Sequence, residues 1–324
     1  MLHIAIIGVG GLGMRYVQSL ARFRYEAKIQ MVDISREALE KAEALFYSSG
    51  PRNHLVLESL ESLDGLEGCL DIAAIVTGSG PRRRLLEELL ETKQVKNLLL
   101  EKVLFPQMDD YMAAERMIKD HGCKAWVNCG RRLFDFYNQL KAEFEGERIT
   151  FLLRGGAWGI GCNGIHFLDL ISFITGDMGG IRIYTEKLDD EIIESRRAGY
   201  IEFTGTLTGS MEGCDNFSIT SDKAGDAPII YTIASEKKLC MVNELAGRAV
   251  FLDAEGNWNS REILFSTRMQ SEFTAPLFEE IIETGGCMLP DYQTSMRIHM
   301  PLLKELLNFM NLKNGTEEKI CPIT

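Results

Sequence analysis

The chain has no cysteine pair in C-x-x-C spacing, no apolar run approaching membrane length, no internal repeat and no low-complexity tract. Without such a pair, its eight cysteines fit reduced thiols in a cytoplasmic protein, because a chain of 324 residues does not need disulfide staples. The missing apolar run excludes an ordinary transmembrane helix. Positive charge is also in short supply. Lys and Arg number 35 against 47 Asp and Glu, and the formal net charge of −12 argues against nucleic acid or an anionic membrane as the main partner. The one dense basic cluster, Arg82-Arg83-Arg84, reads as a solvated helix face. The N-terminus has no basic region or cleavage-like site and reads as a core strand, not a signal peptide. A hydrophobic content of 45% and a charged content of 25% are ordinary for a globular protein. The length makes two domains the default.

What is present begins at once. Residues 2–13 read Leu-His-Ile-Ala-Ile-Ile-Gly-Val-Gly-Gly-Leu-Gly, an apolar strand pattern running into Gly8-x-Gly10-x-x-Gly13. Gly8 allows a tight turn, Gly10 lets backbone approach a pyrophosphate, and Gly13 lets the following helix pack on the strand. Val9, Gly11 and Leu12 complete the loop, and the free N–H groups of the next helix turn would face the anion. Met14, Val17, Leu20 and Ala21 fall at helical spacing behind it. A second strand pattern, Lys28–Asp33, ends in an acidic residue about twenty positions past Gly13, where a carboxylate can accept hydrogen bonds from ribose hydroxyls. The expected cofactor is therefore NAD. In Asp33-Ile34-Ser35-Arg36 a hydroxyl and a guanidinium follow the acid and keep an NADP option open.

Strand and helix patterns alternate over residues 1–124, which predicts a Rossmann-type doubly wound parallel sheet. Ser35 is a plausible N-cap before the stripe Ala38, Leu39, Ala42, Leu45 and Phe46. Asp71–Thr77 is a buried strand running into Gly78-Ser79-Gly80-Pro81, with Pro81 suited to the first helical position. Val95–Leu100 is a further strand, with a helix near 108–120 and a strand near 124–128 after it. Over 125–324 the grammar becomes α+β: a helix near 132–145, a strand near 148–154, a glycine-rich loop at 155–164, and a helix closing at Thr175-Gly176. Successive strands then run to about Phe265, among them Tyr200–Ser210, and predict a mostly antiparallel sheet. Helices return near 274–284 and 291–311.

In open parallel sheets ligands bind at the carboxyl ends of the strands. Gly8–Gly13, Asp33, Thr77-Gly78-Ser79 and Glu101-Lys102 all sit at such ends. The Lys102 ammonium there can hydrogen-bond a substrate oxygen and stabilise a developing alkoxide. Further on, Gly161-Cys162-Asn163-Gly164-Ile165-His166-Phe167-Leu168-Asp169-Leu170 opens a segment apolar almost all round, so it should be buried. His166 and Asp169, at i and i+3, share a face, and a buried imidazole and carboxylate need a polar reason to be there. No metal site is expected.

On Gly8–Gly13, Glu101-Lys102, the Arg131-Arg132 region and His166-x-x-Asp169-Leu170, the chain resembles the Gfo/Idh/MocA oxidoreductases over nearly its whole length. The resemblance implies a Rossmann domain followed by a domain with a large open sheet, often the interface of a homodimer or homotetramer. It also implies NAD(P)-dependent chemistry at a hydroxyl of a sugar, cyclitol or related small molecule. The lysine matching Lys102 then touches nicotinamide and substrate, and the histidine matching His166 transfers a proton. Asp169 orients His166 or binds a hydroxyl, and Arg131 contacts an acidic substrate group or cross-links the domains. Four positions depart from the family pattern. Glu-Lys-Pro reads Glu101-Lys102-Val103, Thr-Pro-Asn reads Thr77-Gly78-Ser79, Arg82 stands where a His is common, and Cys162, followed by Asn163, stands where many members carry Asp. A thiol cannot support an imidazolium as a carboxylate does. This keeps two other functions in view: a cofactor-binding regulator without catalysis, and a redox-assisted lyase or hydrolase with tightly held NAD.

Overall fold

The computed structural model describes residues 1–48, 53–176 and 179–324. It has β1 (Leu2–Ile7), α1 (Gly13–Leu20), β2 (Ala27–Val32), α2 (Arg36–Tyr47), β3 (Leu55–Leu60), β4 (Cys69–Ile75), α3 (Ser79–Thr92), β5 (Gln94–Leu100), α4 (Met108–Asp120) and β6 (Lys124–Val127). Then come α5 (Asp135–Glu143), β7 (Ile149–Gly155), α6 (Ile160–Ile174), β8 (Arg182–Leu188), β9 (Ile193–Glu194) and β10 (Ile201–Glu202). The chain continues as β11 (Gly205–Met211), β12 (Cys214–Ser221), β13 (Ile230–Ala234), β14 (Lys238–Asn243), β15 (Arg248–Asp253), β16 (Arg261–Leu264), α7 (Gln270–Thr284) and α8 (Tyr292–Asn314).

Two compact units result. One takes residues 1–105, 109–128 and 268–293, the other residues 106–108, 129–267 and 294–324. The first is an α/β unit on a six-stranded sheet ordered β3-β2-β1-β4-β5-β6, every pair parallel. β1 lies near its centre, and Ile4, Ile6 and Ile7 are buried as a strand covered on both faces requires. Ser35 caps α2 by accepting the Ala38 N–H at 3.3 Å, as its position suggests. α3 begins at Ser79, so Pro81 is its third residue and not its first. The first four amides of a helix have no intrahelical acceptor, so proline is tolerated there too. β3 is an edge strand whose Val56 is exposed, and half-burial of that kind leaves little apolar signal in sequence. α7 joins this unit through its contact with α1, where Ser19 Oγ accepts the Ala275 N–H at 2.9 Å and Arg24 pairs with Glu279 at 2.7 Å.

The second unit is built on eight strands ordered β16-β15-β14-β13-β7-β12-β11-β8, antiparallel throughout except for β7 with β12. β7 alternates strictly. Ile149, Phe151 and Leu153 are buried, while Thr150, Leu152 and Arg154 point outward. One face of the sheet is therefore covered and the other open. The covered face holds an aromatic chain. Phe151 stacks on Tyr231 with centroids 5.4 Å apart, Tyr231 meets Phe167 of α6 at 6.0 Å, and Phe167 meets Trp158 at 5.5 Å. The single strand predicted over Tyr200–Ser210 is broken. β10 pairs only with β9, and β11 starts afresh at Gly205, whose φ of +90° breaks the strand. The helix predicted to follow a loop at 155–164 starts earlier, at Ile160, so that Cys162 and Asn163 lie in its first turn.

Candidate active site

The glycine turn in the first unit is shaped by two close approaches. Gly8 has φ +92°, and a Cβ there would lie 2.7 Å from Thr77 Cγ2. A Cβ on Gly13 would lie 2.0 Å from the Gly8 carbonyl oxygen. Nothing stands within 4 Å of a Cβ on Gly10 or Gly11, so that side of the turn is open. No side chain caps α1, and no acidic residue lies in its first turn. Its leading N–H groups thus suit an anion. Asp33 ties the turn to the end of β2: Oδ2 accepts the Val9 N–H at 2.8 Å and Oδ1 accepts the Ser35 N–H at 2.9 Å. Gly8, Asp33, Ile34, Ser62, Thr77 and Arg84 are among the residues around a cavity of about 340 Å³. Thr77 Oγ1 is buried with no hydrogen-bond partner among the described residues. An open glycine turn, with a fixed acid and an orphaned hydroxyl around the cavity beside it, fits the adenosine and pyrophosphate parts of a dinucleotide. Ile34 is 95% exposed, and Arg36 reaches Glu40 at 3.4 Å on the surface of α2. Gly78 is the N-cap of α3, and Ser79 is buried at its start.

Beside the turn, Glu101 is not at the surface end of its strand but buried. Its Oε1 accepts from Tyr16 Oη, and from Asn128 Nδ2 at 2.7 Å. Burial, then the Glu101 charge, pushes the Tyr16 phenol well above its ordinary pKa, so it stays a donor. The same is true of the basic cluster. Arg82 does not belong to a solvated face: it is 1% exposed. It donates to the carbonyls of Thr77 and Val103, and to that of Leu104 at 2.9 Å. Its guanidinium thus joins the end of β4 to the segment that carries Lys102, whose peptide bond to Val103 is cis. Arg83 pairs with Glu87 at 3.2 Å and only Arg84 is exposed.

In the second unit α6 is buried as its composition predicts, apart from Cys162, Asn163 and His166. At about 100° per residue these three fall within roughly a 100° arc, the one stripe of α6 that is not buried. The start of the helix is fitted around Glu202 of β10. Its Oε1 and Oε2 accept the Cys162 N–H at 3.0 and 3.2 Å, and the residue is 8% exposed. A Cβ on Gly159 would lie 2.6 Å from the Glu202 carboxyl carbon, and one on Gly161 would lie 3.0 Å from Oε2. The carboxylate that many family members carry at position 162 is absent. One from β10 meets the helix at the same turn, and neither Glu202 nor its role is signalled in sequence. Asn163 Nδ2 donates to the Trp158 carbonyl at 2.6 Å and holds the turn ahead of the helix.

Asp169 and Arg131 each have a charged partner. Asp169 is 1% exposed, and Arg132 grips its carboxylate, Nε lying 3.1 and 2.9 Å from the two oxygens and NH2 2.7 Å from Oδ1. A buried carboxylate held by a guanidinium is a core ion pair, not a group facing a substrate hydroxyl. Arg131 is engaged within the second unit. It forms a fork to Glu244, Nε and NH2 each 2.7 Å from an oxygen, and both residues lie in the second unit. Tyr137 also donates to Glu244, as does Tyr231 at 3.3 Å. Burial raises the Glu244 pKa, but the Arg131 charge and these hydrogen bonds outweigh it and hold the carboxyl below its usual range. Among the described residues no group of three or more His, Cys, Asp or Glu is placed to hold a metal.

The strand order, the glycine turn after β1 and the acid at the end of β2 define a dinucleotide-binding Rossmann protein. Residues 2–129 match the model of the Gfo/Idh/MocA family, described as an oxidoreductase family with an NAD-binding Rossmann fold. No curated protein sequence matches the chain significantly. Among solved structures the chain is similar to UDP-N-acetylglucosamine 3-dehydrogenase from Acidithiobacillus ferrooxidans, at 15% identity and TM-score 0.69 over 94% of this chain and 96% of that one. It is similar to scyllo-inositol dehydrogenase from Lactobacillus casei with NAD(H) and scyllo-inositol, at 17% identity and TM-score 0.66 over 98% and 97%. It is also similar to a super-repressor mutant of Gal80p from Saccharomyces cerevisiae, at 12% identity and TM-score 0.73 over 99% and 98%. At such identities the likeness is one of fold. No helix among the described residues is long and apolar enough to cross a membrane.

Proposed function

We propose that the protein is an NAD-dependent oxidoreductase acting at a hydroxyl or keto carbon of a sugar, cyclitol or sugar-derived substrate. The observation that carries this reading is the open glycine turn Gly8–Gly13 beside a cavity that Gly8, Asp33 and Thr77 line. Gly10, Gly11 and the leading amides of α1 hold the pyrophosphate, and Asp33 receives the ribose hydroxyls. NAD is favoured over NADP because Asp33 would repel a 2′-phosphate and Arg36 is engaged with Glu40. Bound NAD supplies a hydride acceptor or donor.

The residues of the chain do the rest. In the oxidative direction the Lys102 ammonium hydrogen-bonds the substrate hydroxyl oxygen and stabilises its developing negative charge. His166 takes the hydroxyl proton, and in the reductive direction returns it. Cys162 and Asn163, on the same stripe of α6, line the substrate's path to His166. We place the protein in the cytoplasm on the same reading, since all eight cysteines are free thiols.

Lys102→Ala and His166→Ala should each cut turnover by about 10²-fold or more while leaving the thermal shift with NAD intact. Turnover is followed by nicotinamide absorbance over a panel of sugars and cyclitols. Wild-type turnover in the histidine variant removes His166 from the mechanism. A second reading, a regulator that binds NAD(H) without hydride transfer, is favoured by Cys162 in place of the family's carboxylate and by the likeness to Gal80p. It predicts NAD binding with no turnover on any member of the panel.

A further inference from the structure

The second unit holds a cavity of about 370 Å³ whose arginines the mechanism above does not use. It lies at the start of α6. Trp158, Asn163 and Glu202 are among its lining residues, with Arg196 and Arg197 from the turn that joins β9 to β10. We propose that this cavity seats the anionic end of an acidic polyol, a carboxylate or phosphate substituent, on Arg196 and Arg197. The proposal rests on the reading that His166 acts on a polyol, and it names the class of that polyol.

Three observations support it. First, this is a chain with 47 acidic against 35 basic side chains, and acids lie close at hand. Nearby cations use them: Lys223 pairs with Glu191 and Lys313 with Asp190. No ion pair joins Arg196 or Arg197 to an acid among the described residues, although Glu194 lines the same cavity. The turn does not need these guanidinium groups for its own shape. Its backbone closes it, with Ser195 N–H on the Tyr200 carbonyl at 2.8 Å and Tyr200 N–H on the Arg197 carbonyl at 3.2 Å.

Second, the same cavity carries a fixed negative group, Glu202, among its lining. Glu202 is fixed by the α6 amide and boxed in by Gly159 and Gly161. An anion entering the cavity is repelled by Glu202 and held at the arginines, while hydroxyls are accepted by the carboxylate. A ligand with one charged end and several hydroxyls is thereby bound in one direction. Trp158 has spent its indole N–H on the Thr220 carbonyl at 2.9 Å, so what it offers a ligand is the face of its ring. Guanidinium groups are suited to carboxylate and phosphate oxygens through paired N–H donors. Third, Cys162 and Asn163 belong both to the cavity and to the open stripe of α6 that continues to His166. One helical turn, about 6 Å along the axis, separates Cys162 from His166, which suits a sugar-sized ligand spanning the two.

The test is calorimetric titration of the full chain with D-gluconate, D-glucose 6-phosphate and D-glucose, each alone and with NAD present. The two anions should bind at least about tenfold more tightly than glucose. If only one of them does, that anion identifies the substituent. Arg196→Gln with Arg197→Gln should abolish the preference, and Arg196→Lys with Arg197→Lys, which keeps the charge, should retain most of it and shows that the turn still folds. NAD affinity should be unchanged in both. Equal binding of glucose and both anions, no binding of any of the three, or a preference that survives the glutamine substitutions overturns the proposal. Failure of hydride transfer with an intact anion preference would instead count against the oxidoreductase reading.

Discussion

Removing the carboxylate of Asp169 tests whether that residue belongs to the core or to the site. Arg132 and Asp169 have side chains only 3% and 2% exposed, and the Arg132 guanidinium carbon lies 5.0 Å from the ring centroid of Phe173. Asp169→Ala leaves a guanidinium among apolar groups without its counter-ion, which costs about 3–5 kcal/mol. For a unit of this size each kcal/mol moves the melting temperature by roughly 2–4 °C, so the loss is roughly 6–20 °C. Replacing both partners by apolar residues of similar bulk, Arg132→Met with Asp169→Leu, removes the stranded charge and should recover most of that loss. The assay is thermal unfolding followed by circular dichroism on the two singles and the double. A single variant within about 1 kcal/mol of wild type, or a double no better than the single, refutes the ion-pair argument. If Asp169 served His166 instead, the single would shift the pH dependence of turnover and leave the melting temperature nearly unchanged.

The Glu244 carboxyl is held below its usual pKa, so its contribution to stability is complete above about pH 4.3 and is lost as pH falls through the depressed value. Glu244→Gln should therefore lower stability at neutral pH and flatten the acid limb of a stability–pH profile from denaturant titrations; parallel curves for the two proteins would contradict this. The open face of the eight-stranded sheet exposes Leu152, Tyr184, Ile230 and Met241, which supports self-association there as a homodimer or homotetramer. Leu152→Glu with Met241→Glu should halve the mass seen by light scattering, and an unchanged oligomer, or a wild-type monomer, rules that face out.

Much of the fold was legible because its signals are local. β1, β2 and β4 are apolar runs bounded by glycine or acid, and the helices between them carry 3.6-residue stripes. The glycine turn and Asp33 were legible as chemistry, since each glycine meets a particular steric demand. What escaped is what long-range packing decides. β3 was not legible because, at the sheet edge, its Leu-Val-Leu run is short and only Leu55 of its six residues is buried. The start of α6 was misjudged because Gly159 and Gly161 read as loop residues. Their smallness instead admits the Glu202 carboxylate from a strand some forty positions away. Helical spacing placed Asp169 on the face of His166 but gave no sign of Arg132, which comes from a separate element. Arg82 shows the same limit: a run of three arginines looks solvated until one of them is found to be the only group able to gather three carbonyls.

That buried guanidinium has a consequence for how the protein responds to its surroundings. Its charge cannot be titrated away at any pH at which the chain stays folded. The carboxyl edge of the parallel sheet therefore keeps one positive charge beneath its loops under all conditions. The histidine that the family resemblance would put at this position gains and loses its proton near neutrality. With Arg82 in its place, this position contributes a fixed charge and not one that follows acidity.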